Sequence, residues 1–430
     1  MTWRSLLSLA VVVSGCARPT VREAAVAIAP RSAPVACIPH VTPHGVSALD
    51  ARGRLLNARG VHLTDWDGFL ANPSVTLTLR PPPDIHFPAT ATVTGDHPRL
   101  YFDLPSSVGV SGPQKIVRFE TAESAVPVRL AIFPDRDGVD ERHTLTLTLL
   151  GDDRRVEVVP IVVHDQDTNK PLVSRILVDF GHDTTGFFQD ADARAVVERV
   201  ADDWSYFLGD MRPDAVPAGD ETTLIWRDDG FVSASAVQNA SAYTGFLLYV
   251  YGVHGVEVRS GGEGAFDGKL QTSGGATQAV RRSGGLEVET KGNFNTLGWS
   301  VDADPEHWWK TGNRRREPND LYSIVHHEMG HAHGFNRAYP QFNAAKADGL
   351  TSPAIAAYYG RPLRIDVHEH FDATVDPDSG FGAFGSEYHG VMPSRRWMIT
   401  RLDLLALEAV GYTLRLPSFD VWHDDAPDCP

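Results

Sequence analysis

The sequence of 430 residues predicts an α+β protein in which an all-β domain precedes a mixed domain. Residues 40–167 contain short runs of alternating apolar and polar residues separated by Pro, Gly and Asp, as in half-buried strands. Residues 168–430 combine strand-like runs with longer segments whose apolar residues recur at helical spacing. The length also suits two domains better than a single hydrophobic core.

The composition argues against several classes of protein. Hydrophobic residues make up 42% of the chain and charged residues 22%, which is typical of a globular protein, and no apolar run is long enough to span a bilayer. The formal net charge is −16, whereas nucleic-acid binding needs clustered Lys and Arg. Only short basic runs such as Arg314-Arg315-Arg316 occur, and these are typical of solvated loops. Nucleic acid is therefore not an expected partner.

Residues 1–16 have the pattern of an export signal, with an apolar stretch at 6–13 and small residues before Cys16. The segment Val13-Ser14-Gly15 followed by Cys16 resembles the lipobox of bacterial lipoproteins, which implies that the cysteine becomes a lipid-bearing N-terminus. We therefore expect an exported protein of the cell envelope, held at a membrane surface by a lipid anchor, with 17–39 as a flexible tether. A plain secretory signal is the alternative.

Three cysteines are too few for a disulfide scaffold in an exported chain of this size. If Cys16 is lipidated, Cys37 and Cys429 remain as one possible pair that would join the two ends of the chain. The sequence leaves this pairing open.

Residues 40–167 predict an antiparallel β-sandwich of the immunoglobulin-like kind. The alternation is clearest in three runs, at residues 75–79, 144–149 and 156–159. Gly151-Asp152-Asp153, between the last two runs, favours a hairpin.

The stretch 135–140 contains three aspartates and suggests a calcium-binding loop. An EF-hand loop, however, needs its glycine one position after the third acidic ligand, and Gly138 does not have that position. We therefore interpret this stretch as a solvated turn.

The remainder of the chain changes in character. A strand is predicted at 176–180, and the apolar spacing at 192–208 predicts a helix that Gly209 is placed to end. A second strand is predicted at 246–251. The Gly-rich stretch 255–292 is predicted to be either a long surface loop or a set of short edge strands.

The clearest chemical signal is an HExxH motif, from His327 to His331, in a segment predicted to be helical over 321–335. The residues 318–320 can cap the start of this helix. His327 and His331 are one helical turn apart, where two imidazoles can bind one zinc ion. Glu328 then lies beside the metal, where it can accept a proton from the attacking water and pass it to the leaving amine.

A core or solvated helix with incidental histidines is the alternative interpretation of this motif. His326 and His333 lie outside the i,i+4 pair, and we expect them to be surface groups or groups that support the ligands. Gly334 allows the chain to turn away just after the second histidine of the pair.

A catalytic zinc needs a third protein ligand and one open position. The HExxH motif is followed by two residues and Gly334, and this pattern resembles the metzincin peptidases. Metzincins with a short ligand spacing place His or Asp three residues after the glycine, where this chain has Arg337. An arginine cannot serve as that ligand.

The downstream residues resemble instead the leishmanolysin-like branch of metzincins, in which an insertion precedes the third histidine. The matching stretches are 352–360, His370-Phe371 where that branch has His-Trp, 391–393 and 402–412. The resemblance implies that His370 is the third zinc ligand and that Met392 is the Met-turn residue beneath the metal. His368 is a competing third ligand, and His389 is a weaker one.

Two features near the end of the chain have a structural interpretation. Thr400 and Asp403 have the spacing of a capping box, which predicts that a helix with a buried face begins there. Met392 also fits a core position, since a metzincin methionine packs under the site without binding metal.

With the zinc motif, the resemblance implies a metzincin-like domain over 168–430 that acts as a zinc-dependent metalloendopeptidase. Its polypeptide substrate would lie antiparallel to an edge strand of the catalytic sheet. The alternative function is that of a non-catalytic surface adhesin or carbohydrate-binding lipoprotein with a vestigial or structural zinc site. A structural zinc would be closed by a fourth side chain, whereas a catalytic zinc keeps one position open.

Overall fold

The computed structural model describes residues 38, 42–102, 114–151, 155–209, 215–228, 231–254, 262–273, 276–291, 298–304, 319–337, 339–372, 374–385 and 396–424. Cys16, Cys37, His389, Met392 and Cys429 lie outside these residues, so the expectations for them stay predictions.

Residues 47–165 form two β-sheets that share one hydrophobic core. One sheet has four strands, which are β1 (Ser47–Leu49), β3 (Val75–Arg80), β5 (Leu100–Phe102) and β7 (Val126–Ile132). The other has five, which are β2 (Val61–Asp65), β4 (Ala89–Gly95), β6 (Gln114–Phe119), β8 (Glu141–Leu149) and β9 (Val156–Asp165). The orders are β1-β3-β7-β5 and β2-β9-β8-β4-β6, and a short helix α1 (Leu56–Arg59) connects β1 to β2.

The alternating pattern of the sequence is the reason why these strands form a sandwich. Leu77 and Leu79 of β3 and Leu145 and Leu147 of β8 are buried, and the residues between them face outward. The three runs predicted from this alternation lie within β3, β8 and β9, and β8 pairs antiparallel with β9. The pairing of β2 with β9 is parallel, which differs from the antiparallel sandwich that we expected. This parallel pair is possible because a long stretch of chain separates the two strands.

The second half of the chain is built on a four-stranded sheet of order β10-β13-β15-β14. Its strands are β10 (Ile176–Asp179), β13 (Phe246–His254), β14 (Gly262–Ser273) and β15 (Ala276–Lys291). The first three in spatial order are parallel, and β14 lies antiparallel at the edge. The Gly-rich stretch therefore contains strands, as one of the two alternatives predicted, and not a long surface loop. The strands are longer than expected, and β15 lies inside the sheet whereas β14 lies at its edge. Two smaller pairs accompany this sheet, which are β11 (Glu221–Asp228) with β12 (Phe231–Gln238), and β16 (Trp299–Ser300) with β17 (Asn319–Asp320).

The strand β13 is buried on both faces, which explains its continuous apolar sequence. Phe246, Leu248 and Val250 face the main hydrophobic core, which also contains the helices. The alternate residues, of which Leu247 and Tyr249 are two, pack with residues of β11 and β12.

The described residues also form five further α-helices, which are α2 (Ala191–Phe207), α3 (Leu321–His333), α4 (Pro340–Asp348), α5 (Pro353–Tyr359) and α6 (Arg401–Ala409). The ends of α3 and α6 follow the sequence signals. The Asp320 carboxylate accepts a hydrogen bond from the Ser323 amide at 3.1 Å, and Thr400 and Asp403 form the predicted capping box. None of the helices in the described part of the chain is both long and apolar enough to cross a bilayer.

The main core extends across the predicted domain boundary, since Trp66, Phe69 and Phe133 belong to the same cluster as α2 and α3. A buried ionic group lies at this junction. The Asp203 carboxylate of α2 accepts hydrogen bonds from Arg136 Nη1 at 3.0 Å and from Tyr322 Oη at 2.8 Å. These partners compensate for the cost of burying a charge.

Arg136 belongs to the Asp-rich loop 135–140 between β7 and β8. This loop is stabilised by its own amides, because the Val139 amide donates to the Asp137 carboxylate at 2.8 Å. Arg99 supplies a counter-charge, with Nη2 2.7 Å from Asp135 Oδ2. The loop thus uses a buried guanidinium and backbone amides to balance its carboxylates.

The C-terminal segment 415–424 crosses back onto the β-sandwich. The Trp422 amide donates to Thr64 Oγ1 at 3.0 Å, and the Trp422 ring stacks on His62 with ring centroids 3.7 Å apart. His164 adds to the same stack, at 4.4 Å from the Trp422 ring, and its Nε2 lies 2.9 Å from His62 Nδ1. The segment therefore ties the second half of the chain to the first.

This stack is expected to weaken in acid. Burial, together with the smaller effect of the neighbouring His164, lowers the pKa of His62 from 6.5 to about 4. Because the folded state favours the neutral ring, the contribution of His62 to stability is present above pH 6.5 and is lost as the pH falls towards 4. The melting temperature of the wild type should fall over this range, and His62→Phe, which keeps an aromatic ring but cannot titrate, should show a smaller fall. Identical pH dependence in both proteins would contradict this prediction.

Candidate metal centre

The helix α3 presents the HExxH motif from within the main core. Leu321, Val325 and Met329 recur every four residues and pack into the core, so the helix is fixed along one face. His327 and His331 lie on another face, with ring centroids 4.9 Å apart. The i,i+4 geometry expected from the sequence is therefore present.

A third imidazole meets this pair. His370 lies in the loop that follows α5, and its Nε2 is 3.3 Å from His331 Nε2. One ring nitrogen from each of His327, His331 and His370 lies within 4.8 Å of the others. His368 is exposed and does not belong to this group. Among the residues that the structure describes, no fourth His, Cys, Asp or Glu joins the three histidines.

The spacing fits a tetrahedral zinc ion. Zinc–imidazole bonds of about 2.0–2.1 Å at tetrahedral angles place two ligand nitrogens roughly 3.3–3.4 Å apart. The separation of His331 Nε2 and His370 Nε2, at 3.3 Å, matches this distance. Three imidazoles are also a donor set that suits zinc.

Two of the three imidazoles have an oxygen atom behind the ring, on the side away from the cluster. His331 Nδ1 lies 2.9 Å from the Phe335 carbonyl oxygen, and His370 Nδ1 lies 3.4 Å from Asp366 Oδ2. Nδ1 of both rings can therefore carry the proton, which leaves the lone pair of Nε2 directed at the cluster.

Burial favours the neutral form of the His327 and His370 imidazoles. It lowers the pKa of His327 well below 6.5, and the adjacent His331 and His370 lower that pKa further. Burial also lowers the pKa of His370, although Asp366 opposes the shift. Neutral imidazole is the form that binds a metal, so the lowered pKa values of these two histidines favour metal binding at neutral pH.

Aromatic rings enclose the centre. The Phe384 ring stacks on the His327 ring, with centroids 4.9 Å apart and an interplanar angle of 9°. The Trp397 ring is tilted against the His327 ring, with centroids also 4.9 Å apart. Gly330 makes this packing possible, because a Cβ at that position would lie 2.4 Å from the Phe384 ring. Gly385 similarly lets its loop approach His370, since its Cβ would lie 2.5 Å from that side chain.

Glu328 is buried next to the histidines and is held by the edge strand β14. Its Oε2 accepts a hydrogen bond from the Gly264 amide at 2.8 Å. The strand and the helix are so close that a Cβ at Gly264 would lie 1.8 Å from the Glu328 carbonyl oxygen. Only glycine fits at this close backbone contact. The hydrogen bond from its amide orients the Glu328 carboxylate.

Gly264→Ala is therefore expected to destabilise the protein. The added methyl group would force β14 away from α3, and overpacking of this kind typically costs about 1–3 kcal/mol of unfolding free energy. Denaturant unfolding of the two proteins would measure the difference. An unchanged free energy of unfolding would mean that β14 does not lie against α3 in this way.

His326 and His333 are buried, not surface groups, and neither belongs to the three-histidine group. Both contact Trp204 of α2, on which the His326 ring stacks with centroids 5.0 Å apart. Burial lowers the pKa of His326 to about 3, so this ring stays neutral. They serve the packing of α2 against α3.

The sequence interpretation did not identify Gly264, Asp366 or Phe384 as parts of the site. Gly264 lies in the Gly-rich stretch, for which the sequence left a loop and short edge strands as alternatives, and no local pattern pairs it with Glu328. Asp366 had one usable signal, since it precedes His370 by four residues in a short loop. Nothing in the sequence marks Phe384.

Comparison with known proteins adds little to this geometry. No family model and no curated protein matches the chain. Among solved structures, similarity is found to the periplasmic chaperone SfaE, with 9% identity, 57% of this chain and 100% of that chain covered, and a TM-score of 0.18. A DUF4466 family protein from Parabacteroides merdae has 12% identity, 28% and 44% coverage, and a TM-score of 0.18. A GH5 xyloglucanase from Bacteroides ovatus has 12% identity, 48% and 37% coverage, and the same TM-score. TM-scores this low support no inference about fold or function.

Proposed function

We propose that this chain is a zinc-dependent metalloendopeptidase in which His327, His331 and His370 hold the metal and Glu328 is the general base. The convergence of the three imidazoles, with two Nε2 atoms at tetrahedral spacing, carries the proposal. The resemblance of the HExxH segment to metzincins selects peptide hydrolysis among zinc-dependent reactions. Met392 remains the proposed Met-turn residue.

The bound zinc would supply a Lewis acid that acidifies a water molecule and polarises the scissile carbonyl. Glu328 would accept the proton of the attacking water on its other carboxylate oxygen, Oε1, and deliver it to the departing amine. The Gly264 amide donates a hydrogen bond to Oε2 of the same carboxylate, so the carboxylate keeps its orientation during the proton transfer. Phe384 and Trp397 limit the access of bulk water to His327.

The edge strand β14 supports a polypeptide as the substrate. Among the described strands it is the last of its sheet, and it lies against α3 through the Gly264–Glu328 hydrogen bond. An extended peptide added alongside this edge would use main-chain hydrogen bonds for affinity and would pass close to Glu328. The lipid anchor proposed at Cys16 would place the reaction at a membrane surface in the cell envelope.

The test is metal analysis of the purified protein combined with cleavage of an unstructured protein such as casein. We expect about one zinc per chain, cleavage by the zinc-loaded protein, and loss of cleavage on addition of a chelator with recovery on addition of zinc. Active protein without zinc would remove the metal from the proposal. Zinc-loaded protein that cleaves no peptide would favour the adhesin or carbohydrate-binding function with a structural zinc.

A further inference from the structure

The loop that carries His370 is built around one carboxylate. Asp366 Oδ1 accepts hydrogen bonds from the His368 amide at 2.8 Å and from the His370 amide at 2.9 Å. The Asp366 amide in turn donates to the His370 carbonyl oxygen at 2.9 Å, and the Glu369 amide donates to the Asp366 carbonyl oxygen at 3.2 Å. These four bonds close the loop and fix the position of the Asp366 side chain.

The loop is also anchored from outside. Glu369 adopts a left-handed backbone conformation with φ 72°, and its Oε1 lies 2.6 Å from Lys346 Nζ of α4. The Glu369 Oε2 atom accepts a hydrogen bond from the Arg337 amide at 3.2 Å, just after α3. A residue with a strained backbone keeps that conformation only when the surrounding structure holds it. Here the contacts of the Glu369 side chain with Lys346 and Arg337 hold it.

One oxygen of Asp366 does not take part in this backbone network. Asp366 Oδ2 lies 3.4 Å from His370 Nδ1, while His370 Nε2 faces His331 Nε2 at 3.3 Å. The carboxylate and the cluster therefore lie at opposite nitrogens of the same ring. His331 has the same arrangement, with the Phe335 carbonyl oxygen 2.9 Å from its Nδ1.

We propose that Asp366 is a positioning residue of the metal centre, which holds the Nδ1 proton of His370 and thereby directs Nε2 of His370 at the zinc. This inference rests on the proposed function for the presence of zinc. An acceptor behind a metal-binding imidazole fixes its tautomer and its orientation, and a carboxylate acceptor also makes the imidazole a stronger donor. Of the three histidines, His370 needs this most, because it comes from a loop whereas the other two are fixed by α3.

Asp366→Asn separates this role from the role in loop closure. The asparagine keeps Oδ1, so it can still accept the bonds from the His368 and His370 amides. In place of Oδ2 it presents an NH₂ group, which cannot accept a proton from His370 Nδ1. Asp372→Asn is the matched control. Asp372 lies in the same loop and is exposed, and the substitution removes the same charge.

The measurement is the zinc dissociation constant of each metal-free protein, obtained by competition with a chromophoric chelator. Asp366→Asn should weaken zinc binding by about 10–100-fold, and Asp372→Asn should leave it within about twofold of the wild type. The melting temperature of metal-free Asp366→Asn should stay close to that of the metal-free wild type. Equal zinc affinity in the wild type and Asp366→Asn would overturn the inference.

A second measurement needs no variant. In the zinc-loaded wild type labelled with ¹⁵N-histidine, nitrogen chemical shifts should show a protonated Nδ1 and a metal-bound Nε2 for His370. The opposite assignment, with zinc on Nδ1, would overturn the inference even if Asp366→Asn failed to fold. Failure of the wild type to bind zinc at all would instead count against the proposed function. Neither readout depends on peptidase activity.

Discussion

Glu328→Gln is expected to lower kcat by about 10²–10⁴-fold while leaving the zinc content unchanged, since this is the usual contribution of a positioned general base. The amide oxygen of glutamine can still accept the hydrogen bond that the Gly264 amide gives to Glu328 Oε2. The buried side chain therefore keeps its place, and only the ability to accept a proton is lost. The change should appear in kcat for a fluorogenic peptide, measured at matched zinc content.

The control is Glu408→Gln, an exposed glutamate on α6 that undergoes the same substitution away from the cluster. It should have wild-type kcat. If Glu328→Gln retained kcat within about threefold of the wild type with full zinc, another group would have to be the base, and the chemistry assigned to the HExxH motif would be wrong.

Much of the fold was predictable because local patterns and tertiary packing agree. The i,i+4 spacing of the apolar residues in α2, the alternation in β3, β8 and β9, and the capping box of α6 all appear in the structure near their predicted bounds. In each case the residues that mark the element in the sequence are also those that face the core.

The length and pairing of the Gly-rich strands and the burial of His326 and His333 were not predictable, for a common physical reason. The strands β14 and β15 are specified by their pairing with each other and with β13, and by the close approach of α3 to Gly264. His326 and His333 are buried because α2 places Trp204 against them. Such tertiary contacts leave no periodic signal in the local sequence.

The candidate metal centre was likewise predictable only in part. The spacing within the helix predicted the geometry of His327 and His331, because a regular helix fixes both the distance and the face. His370 is 39 residues further along the chain than His331, and spacing alone left His368 as a competing candidate. The family resemblance, and not the residue pattern, selected His370. The Asp366 loop supplies a physical reason for that choice, since it turns one histidine inward and leaves the other exposed.

The zinc affinities of His370→Ala and His368→Ala are expected to differ sharply. His370 is buried with its Nε2 3.3 Å from His331 Nε2, so removal of its imidazole would leave two histidines to hold the metal. Removal of a ligand should weaken zinc binding more than removal of an orienting partner does. The zinc dissociation constant of His370→Ala should therefore be more than about 100-fold higher than that of the wild type. His368 is exposed and lies outside the cluster, so His368→Ala should bind zinc within about twofold of the wild type.

Competition with a chelator would measure both affinities, and the unfolding of the metal-free variants would show that each still folds. His389→Ala, at a position outside the described residues, should also retain the metal. A result in which His368→Ala loses zinc and His370→Ala keeps it would move the third ligand two residues along the loop. Asp366 Oδ1 accepts hydrogen bonds from the backbone amides of both His368 and His370, so such a shift would require the loop to open. The expected result therefore tests the loop geometry as directly as it tests the ligand.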